Sequence, residues 1–158
     1  MIAAARHCYA LPVAADIVAG PGSQSLLQLL PALWPDRSVA VLGPTYEEHA
    51  QLWRAAGHRV TTITSLSETG NADTVILVNP NNPDGRTVNP QYLVELAQSL
   101  PKPHGVLIVD EAFADLDPAC SVSPHLTDAP ILSIRSLDRK STRLNSSHSQ
   151  QSRMPSSA

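Results

Sequence analysis

Two apolar runs, each ending abruptly in polar residues, constrain this chain more than any other feature. The first is Thr74 to Val78, followed by Asn79-Pro80-Asn81-Asn82-Pro83-Asp84-Gly85. The second is Gly105 to Val109, followed by Asp110-Glu111-Ala112-Phe113. Short runs that are apolar at nearly every position, rich in β-branched residues, fit strands buried on both faces. In an open parallel α/β sheet, ligands bind in the crevice beyond the carboxyl ends of the strands. The residues that end each run therefore stand where a site would form. The first run places an amide there, Asn82, and the second a carboxylate, Asp110.

The rest of the chain up to residue 137 alternates short β-runs with helical patterns, which is the mark of βαβ units. A short strand or strand end is expected at Asp16 to Ala19, a turn at Gly20-Pro21-Gly22-Ser23, and a helix from about Gln24 to Leu33. That helix carries Leu26, Leu27, Leu29, Leu30 and Leu33 close to a single stripe. Ser38 to Leu42 reads as a buried strand, and Gly43-Pro44-Thr45 leads into a helix from Tyr46 to Ala56 that stops at Gly57. Strands are expected at Arg59 to Ile63, Thr74 to Val78, Gly105 to Val109 and Ile131 to Ile134. A polar loop spans Ser65 to Asn71, and a helix runs from Pro90 to about Leu100, with proline in its first turn. The expected fold is α/β, a doubly wound and mostly parallel sheet; the order of its strands is not readable.

Bulk properties narrow the class of function. The chain has 158 residues, of which 42% are hydrophobic and 16% charged, with a net charge of -3. These values fit a globular protein with a real core, and no basic patch argues for nucleic acid. No apolar run approaches membrane-spanning length, so no membrane partner is expected. The two cysteines, Cys8 and Cys120, are far apart and lack ligand-like spacing. They suit a reducing cytoplasm and imply neither a disulfide framework nor a metal site.

Composition changes at Asp138. Between Asp138 and Ala158 the only apolar residues are Leu144, Met154 and Ala158, and Ser, Arg and Gln dominate. Such a segment reads first as a disordered basic tail. Its order of residues says more: Asp138-Arg-Lys-Ser-Thr-Arg-Leu-Asn-Ser-Ser-His148 is similar to the in-frame translation of a common sequencing adapter. Gln151 to Ala158 is similar to the adapter's continuation beyond a short index. Residues 138–158 are accordingly expected to be foreign to the protein and are set aside, as any fusion scar is.

The two motifs around Asn82 and Asp110 together resemble the core of the fold-type I enzymes that use pyridoxal 5'-phosphate (PLP), the aminotransferase-like family. The resemblance covers residues 1–137 and implies part of the large domain of the aspartate aminotransferase-like fold. It implies that Ser23 and Gln24, where Gly20-Pro21-Gly22 enters a helix, hold the cofactor phosphate. Read alone, that segment is only a turn with a serine cap. Tyr46 would stack on the pyridine ring, although by itself it is an ordinary tyrosine near a helix start. Asn82 would donate to the cofactor's 3-oxygen, with Gly85 easing the turn. Asp110 would pair with the pyridine nitrogen, and the protonated ring would supply the counter-charge that a buried carboxylate needs. Nearby His49, beside Glu47 and Glu48, is expected on a solvated helix face rather than at the site.

Phe113 separates branches of the family. Many members have tyrosine at this position, whose hydroxyl also bonds the 3-oxygen, and phenylalanine cannot do so. With Ala114-Asp115-Leu116-Asp117-Pro118 after it, the segment resembles the threonine-phosphate decarboxylase branch of cobalamin biosynthesis. Histidinol-phosphate aminotransferase is the alternative, and a non-catalytic PLP-binding or interaction protein is another. The branch implies a phosphorylated amino acid as small-molecule substrate and a cytoplasmic homodimer for the full-length parent. The family also has the pattern Arg-Ser-(Leu/Phe)-x-Lys, whose lysine forms the Schiff base. Here Arg135-Ser136-Leu137 matches its start, making Ser136 a further phosphate ligand, but Arg139 stands where the lysine belongs. Lys140 is one place late, inside the adapter-like segment. No catalytic residue is therefore assigned, and the chain as written is expected to be inactive.

Overall fold

The computed structural model describes residues 2–45 and 47–136. Met1, Tyr46 and residues 137–158 lie outside the described residues. Five strands form one sheet: β1 (Ser38–Leu42), β2 (Arg59–Ile63), β3 (Thr74–Val78), β4 (Val106–Asp110) and β5 (Ile131–Ile134). Their order is β2-β1-β3-β4-β5 and every pairing is parallel. The chain moves outward from β1 to β2, then returns to β3 on the other side of β1. The sheet thus reverses direction between β1 and β3, the topological switch beyond which ligands bind in such folds.

Helices cover both faces. Helix α3 (Glu48–Ala55) connects β1 to β2, and α4 (Pro90–Ser99) connects β3 to β4. Helices α1 (Ile2–Cys8) and α2 (Ser23–Leu29) precede the sheet. The all-apolar strands sort their side chains by the two-residue pleat. Val75, Leu77, Leu107 and Val109 meet Leu93 and Ala97 of α4 in one core cluster. Val39, Val41, Ile76 and Ile108 meet Leu27 of α2 and Ala50 and Trp53 of α3 in the other. Trp53 stacks on Trp34 with ring centroids 6.0 Å apart and packs at 4.7 Å from His58. Among the described residues no helix is long and apolar enough to cross a membrane.

Several sequence expectations need correction. Asp16 to Ala19 is irregular, with no strand. The expected helix from Gln24 to Leu33 is α-helical from Ser23 to Leu29 and then tightens to a 3-10 turn over Leu30–Leu33. Pro31 accounts for the change, because its ring has no N–H to give to a carbonyl one α-turn earlier. Among the described residues the helix expected after Gly43-Pro44-Thr45 spans Glu48–Ala55, and the loop after β2 contains a 3-10 turn at Leu66–Glu68. Strand β4 is displaced by one residue, so Asp110 is its last member.

The burial contrast gives a direct test. Leu77 is fully buried and Leu116 is 69% exposed. We expect Leu77→Ala to cost about 2–5 kcal/mol and Leu116→Ala to stay within about 0.5 kcal/mol, both read from urea midpoints. The cysteines give another. Cys120 is buried, its Sγ donates to the Asp117 carbonyl at 3.0 Å, and burial pushes its thiol up from the ordinary value, helped by Asp117 and Glu111. Cys8 is exposed. Iodoacetamide at pH 8 should alkylate Cys8 first and reach Cys120 only after denaturation; equal rates in the folded chain would contradict the packing around Cys120.

Candidate functional site at the carboxyl edge of the sheet

Parallel pairing brings the ends of all strands to one edge. Val78 and Asp110 are register partners, as are Asp110 and Ile134. Past Val78 the chain turns through three asparagines with different fates. Asn79 is fully buried; its amide nitrogen donates to the Val88 and Cys120 carbonyls, both at 3.0 Å, and its oxygen accepts from the Val88 N–H. Asn81 is also buried and donates to the Pro44 carbonyl at 2.9 Å and to Asp84 Oδ1 at 2.8 Å. These two side chains are spent on holding the loop in shape and on tying it to the neighbouring loops at Pro44 and Cys120, which is more than a simple turn needs. Gly85 closes the loop with φ 71°, a conformation that other residues adopt only with strain. Asn82 is left exposed at the edge.

Asp110 is buried, 7% exposed, and both of its oxygens accept hydrogen bonds within the chain. The Ala112 N–H donates to Oδ1 at 3.0 Å, and His49 Nε2 donates to Oδ2 at 3.0 Å. A carboxylate accepts only, so the facing Nε2 carries the proton. The expectation that His49 lies on a solvated face is overturned: His49 is 2% exposed. It sits one helical turn before Trp53, on the face of α3 that packs against the sheet. The four-residue spacing between His49 and Trp53 was the available signal, outweighed by the adjacent glutamates.

Ser23, Gln24, Asn82 and Asp110 line one small cavity of about 120 Å³, together with Leu27, Val78, Ala112 and Phe113. Asn82 also borders a wider cleft of about 610 Å³, lined further by Thr45, Glu47, Glu48, Gln51 and Pro83. Four of the six residues expected at the site from sequence thus share one cavity. Gly22, with φ 103°, takes the cap position before α2, so Ser23 is the first helical residue and not its cap. Of the other two expected residues, Tyr46 lies outside the described residues. Ser136 is half-buried two residues past β5, on the same edge but outside that lining.

Glu111 is the second feature that sequence reading missed. Its side chain is fully buried. The Val122 N–H donates to Oε1 at 2.7 Å, while Ser121, Ser123 and Ser133 hydroxyls and Arg135 Nη1 donate to Oε2. Nothing local in the sequence signals this, since the donors come from a loop and a strand that only the fold brings together.

Residues 2–133 match the family described as aminotransferase class I and II, and the chain belongs to that family. Within it, the chain is 47% identical over 107 residues to a threonine-phosphate decarboxylase from Sinorhizobium sp, covering 66% of this chain and 32% of the relative. It resembles the crystal structure of L-threonine-O-3-phosphate decarboxylase from Porphyromonas gingivalis with a TM-score of 0.64 at 19% identity, covering 73% of this chain and 39% of that one. It also resembles histidinol-phosphate aminotransferase from Sinorhizobium meliloti, solved in complex with pyridoxal-5'-phosphate, with a TM-score of 0.56 at 25% identity and coverage of 70% and 34%. The chain spans about a third of the length of the curated relatives it matches.

Two outcomes follow from the site geometry. His49→Ala removes a partner from a buried carboxylate and should lower stability by about 1–3 kcal/mol in urea unfolding. Asp84 is held below the ordinary carboxylate range, first by the Asn81 amide and then by the Arg86 N–H. A folded pKa below the unfolded one stabilises at neutral pH. That contribution is lost as pH falls from the ordinary carboxylate value through the lowered one. Side-chain carbon NMR should place the Asp84 midpoint below the ordinary value in the wild type, and Asn81→Ala should move it back upward.

Proposed function

We propose that residues 1–137 form one wall of a PLP site belonging to a decarboxylase that converts L-threonine O-3-phosphate to aminopropanol phosphate for cobalamin assembly. The observation that carries this reading is the convergence of Ser23, Gln24, Asn82 and Asp110 on one cavity. Their chemistry fits the cofactor. A hydroxyl and an amide donate to a phosphate, a second amide meets a phenolic oxygen, and a buried carboxylate accepts from a protonated ring nitrogen. Asp110 already accepts from Ala112 and His49, yet a carboxylate has about four acceptor sites, so capacity remains for a ring N–H. When bound, the cofactor would supply an electron sink for the bond broken at the substrate's α-carbon. Tyr46 would cover one ring face, and Ser136 would join the phosphate end.

The choice of decarboxylase is supported by the 47% identity to the Sinorhizobium relative and by Phe113, which lines the cavity without a hydroxyl. Histidinol-phosphate aminotransferase is the second reading, supported by the PLP complex of the Sinorhizobium meliloti protein. The substrate in either case is a phosphorylated small molecule, and the full-length parent is proposed to be a cytoplasmic homodimer. With Arg139 in the lysine's place, the polypeptide as written is proposed to lack covalent catalysis, and residues 138–158 to be foreign to the parent.

Titration with pyridoxamine 5'-phosphate, followed by tryptophan fluorescence, tests the site without needing the lysine. Binding should be saturable, and Asp110→Asn should weaken it about tenfold or more, as loss of a charge-assisted hydrogen bond does. Equal affinity of the two proteins would contradict the assignment. The chain has two lysines, Lys102 and Lys140. Borohydride treatment after incubation with PLP should label Lys140 no more than exposed Lys102; selective fixation at Lys140 would overturn the proposed inactivity.

A further inference from the structure

The cluster around Glu111 is larger than fastening one loop requires. Glu111 follows Asp110 directly, and the two carboxylates do different things. Asp110 lines the cavity. Glu111 is fully buried and gathers donors from two separate segments. From the loop before β5 come the Ser121 and Ser123 hydroxyls at 3.2 and 3.0 Å and the Val122 N–H at 2.7 Å. From β5 and its extension come the Ser133 hydroxyl at 2.5 Å and Arg135 Nη1 at 3.2 Å. The Glu111 N–H itself donates to the Ile134 carbonyl at 2.8 Å.

Arg135 is the link between this cluster and the site. Besides Glu111, it donates to Ser121 Oγ at 3.1 Å and to Asp115 Oδ1 at 2.7 Å. Its guanidinium lies 4.1 Å from the centroid of the Tyr9 ring. A planar fork held on three sides has little rotational freedom. The next residue is Ser136. Beyond Ile134 the ladder to β4 ends, so no strand pairing among the described residues fixes Ser136. Its position relative to Asp110 therefore depends on side-chain contacts, and the residue that spans the two is Glu111.

We propose that Glu111 is a positioning residue for the phosphate end of the cofactor site. Acting through Arg135, it holds Ser136 at a fixed place relative to Asp110, so that the anchors for the phosphate and the ring nitrogen stay matched. The inference rests on the reading of Ser136 as a phosphate ligand given above. Ser121, Ser123 and Ser133 satisfy the carboxylate without touching the cavity, and a half-satisfied buried cluster would let the β5 end shift.

The test measures how much the phosphate contributes to binding, by comparing dissociation constants of pyridoxamine 5'-phosphate and unphosphorylated pyridoxamine for the same chain by NMR titration. A general loss of structure weakens both ligands, whereas misplacement of Ser136 lowers only their ratio. Ser136→Ala sets the scale, and Glu111→Gln should lower the preference for the phosphorylated ligand by a similar factor, about tenfold. Arg135→Lys, which keeps the charge but loses the fork, should do the same. The double variant should lose no more than either single one. Should Glu111→Gln fail to fold by circular dichroism, Arg135→Lys alone carries the comparison. A wild-type ratio in the folded Glu111 or Arg135 variant, with a lowered ratio in Ser136→Ala, overturns the positioning role and leaves the site intact. A wild-type ratio in Ser136→Ala shows that the phosphate reading of Ser136 is wrong, and the positioning role falls with it.

Discussion

Two adjacent carboxylates at the end of β4 organise this molecule. Because side chains alternate along a strand, Asp110 and Glu111 leave the sheet edge in different directions. Taking either from water is costly unless its oxygens are matched with donors. The fold meets that cost twice. For Asp110 it uses His49 from α3 and the N–H of Ala112. For Glu111 it uses three serines, a backbone N–H and Arg135. The first arrangement leaves acceptor capacity facing a cavity, while the second is closed and structural. Through the first, α3 is tied to the sheet edge, and through the second the loop after β4 is tied to the end of β5.

This division explains why so polar a sheet edge is compatible with a packed interior. The strands carry an unbroken apolar stretch beneath the edge, with Val75, Ile76, Leu77, Leu107 and Val109 almost wholly buried. Asn79 and Asn81 bind their own loop and also the carbonyls of Cys120 and Pro44 in the adjoining loops, and Gly85 takes a positive φ at the loop's close. What remains turned toward the cavity is a short set of groups, Ser23, Gln24, Asn82 and Asp110, drawn from three separate parts of the chain. Membership of the aminotransferase class I and II family places this edge in a fold whose members share a scaffold and differ in chemistry.

Much of the scaffold was legible from residues. The bounds of β1, β2, β3 and β5 agree with those read from the apolar runs, because each is a short run punctuated by Gly, Pro, Asn or Asp. Pro90 likewise marks the start of α4, and the structure adds the cap, with the Asn89 side chain accepting from the Gln91 N–H. Other features were not legible, for physical reasons. Strand order depends on crossovers that leave no local trace, and Asp16 to Ala19 has an extended look without a partner to pair with. His49 was misread because charge on its neighbours says less about a helix face than the four-residue spacing to Trp53. Glu111 could not be read at all, since its partners lie ten to twenty-four residues away in sequence. Asn82 and Asp110 were singled out by their places at the ends of apolar runs, whereas Ser23 and Gln24 were named only through the family resemblance; the residue types of these two alone would support a simple turn and cap.

The site as proposed turns on Asp110 as the acceptor for a pyridine nitrogen. It is tested most directly by ¹⁵N NMR of ring-labelled pyridoxamine 5'-phosphate bound to this chain. With Asp110 in that role, the ring nitrogen is protonated in the wild-type complex at pH 8 and unprotonated with Asp110→Asn. The same nitrogen resonance in both proteins would contradict it.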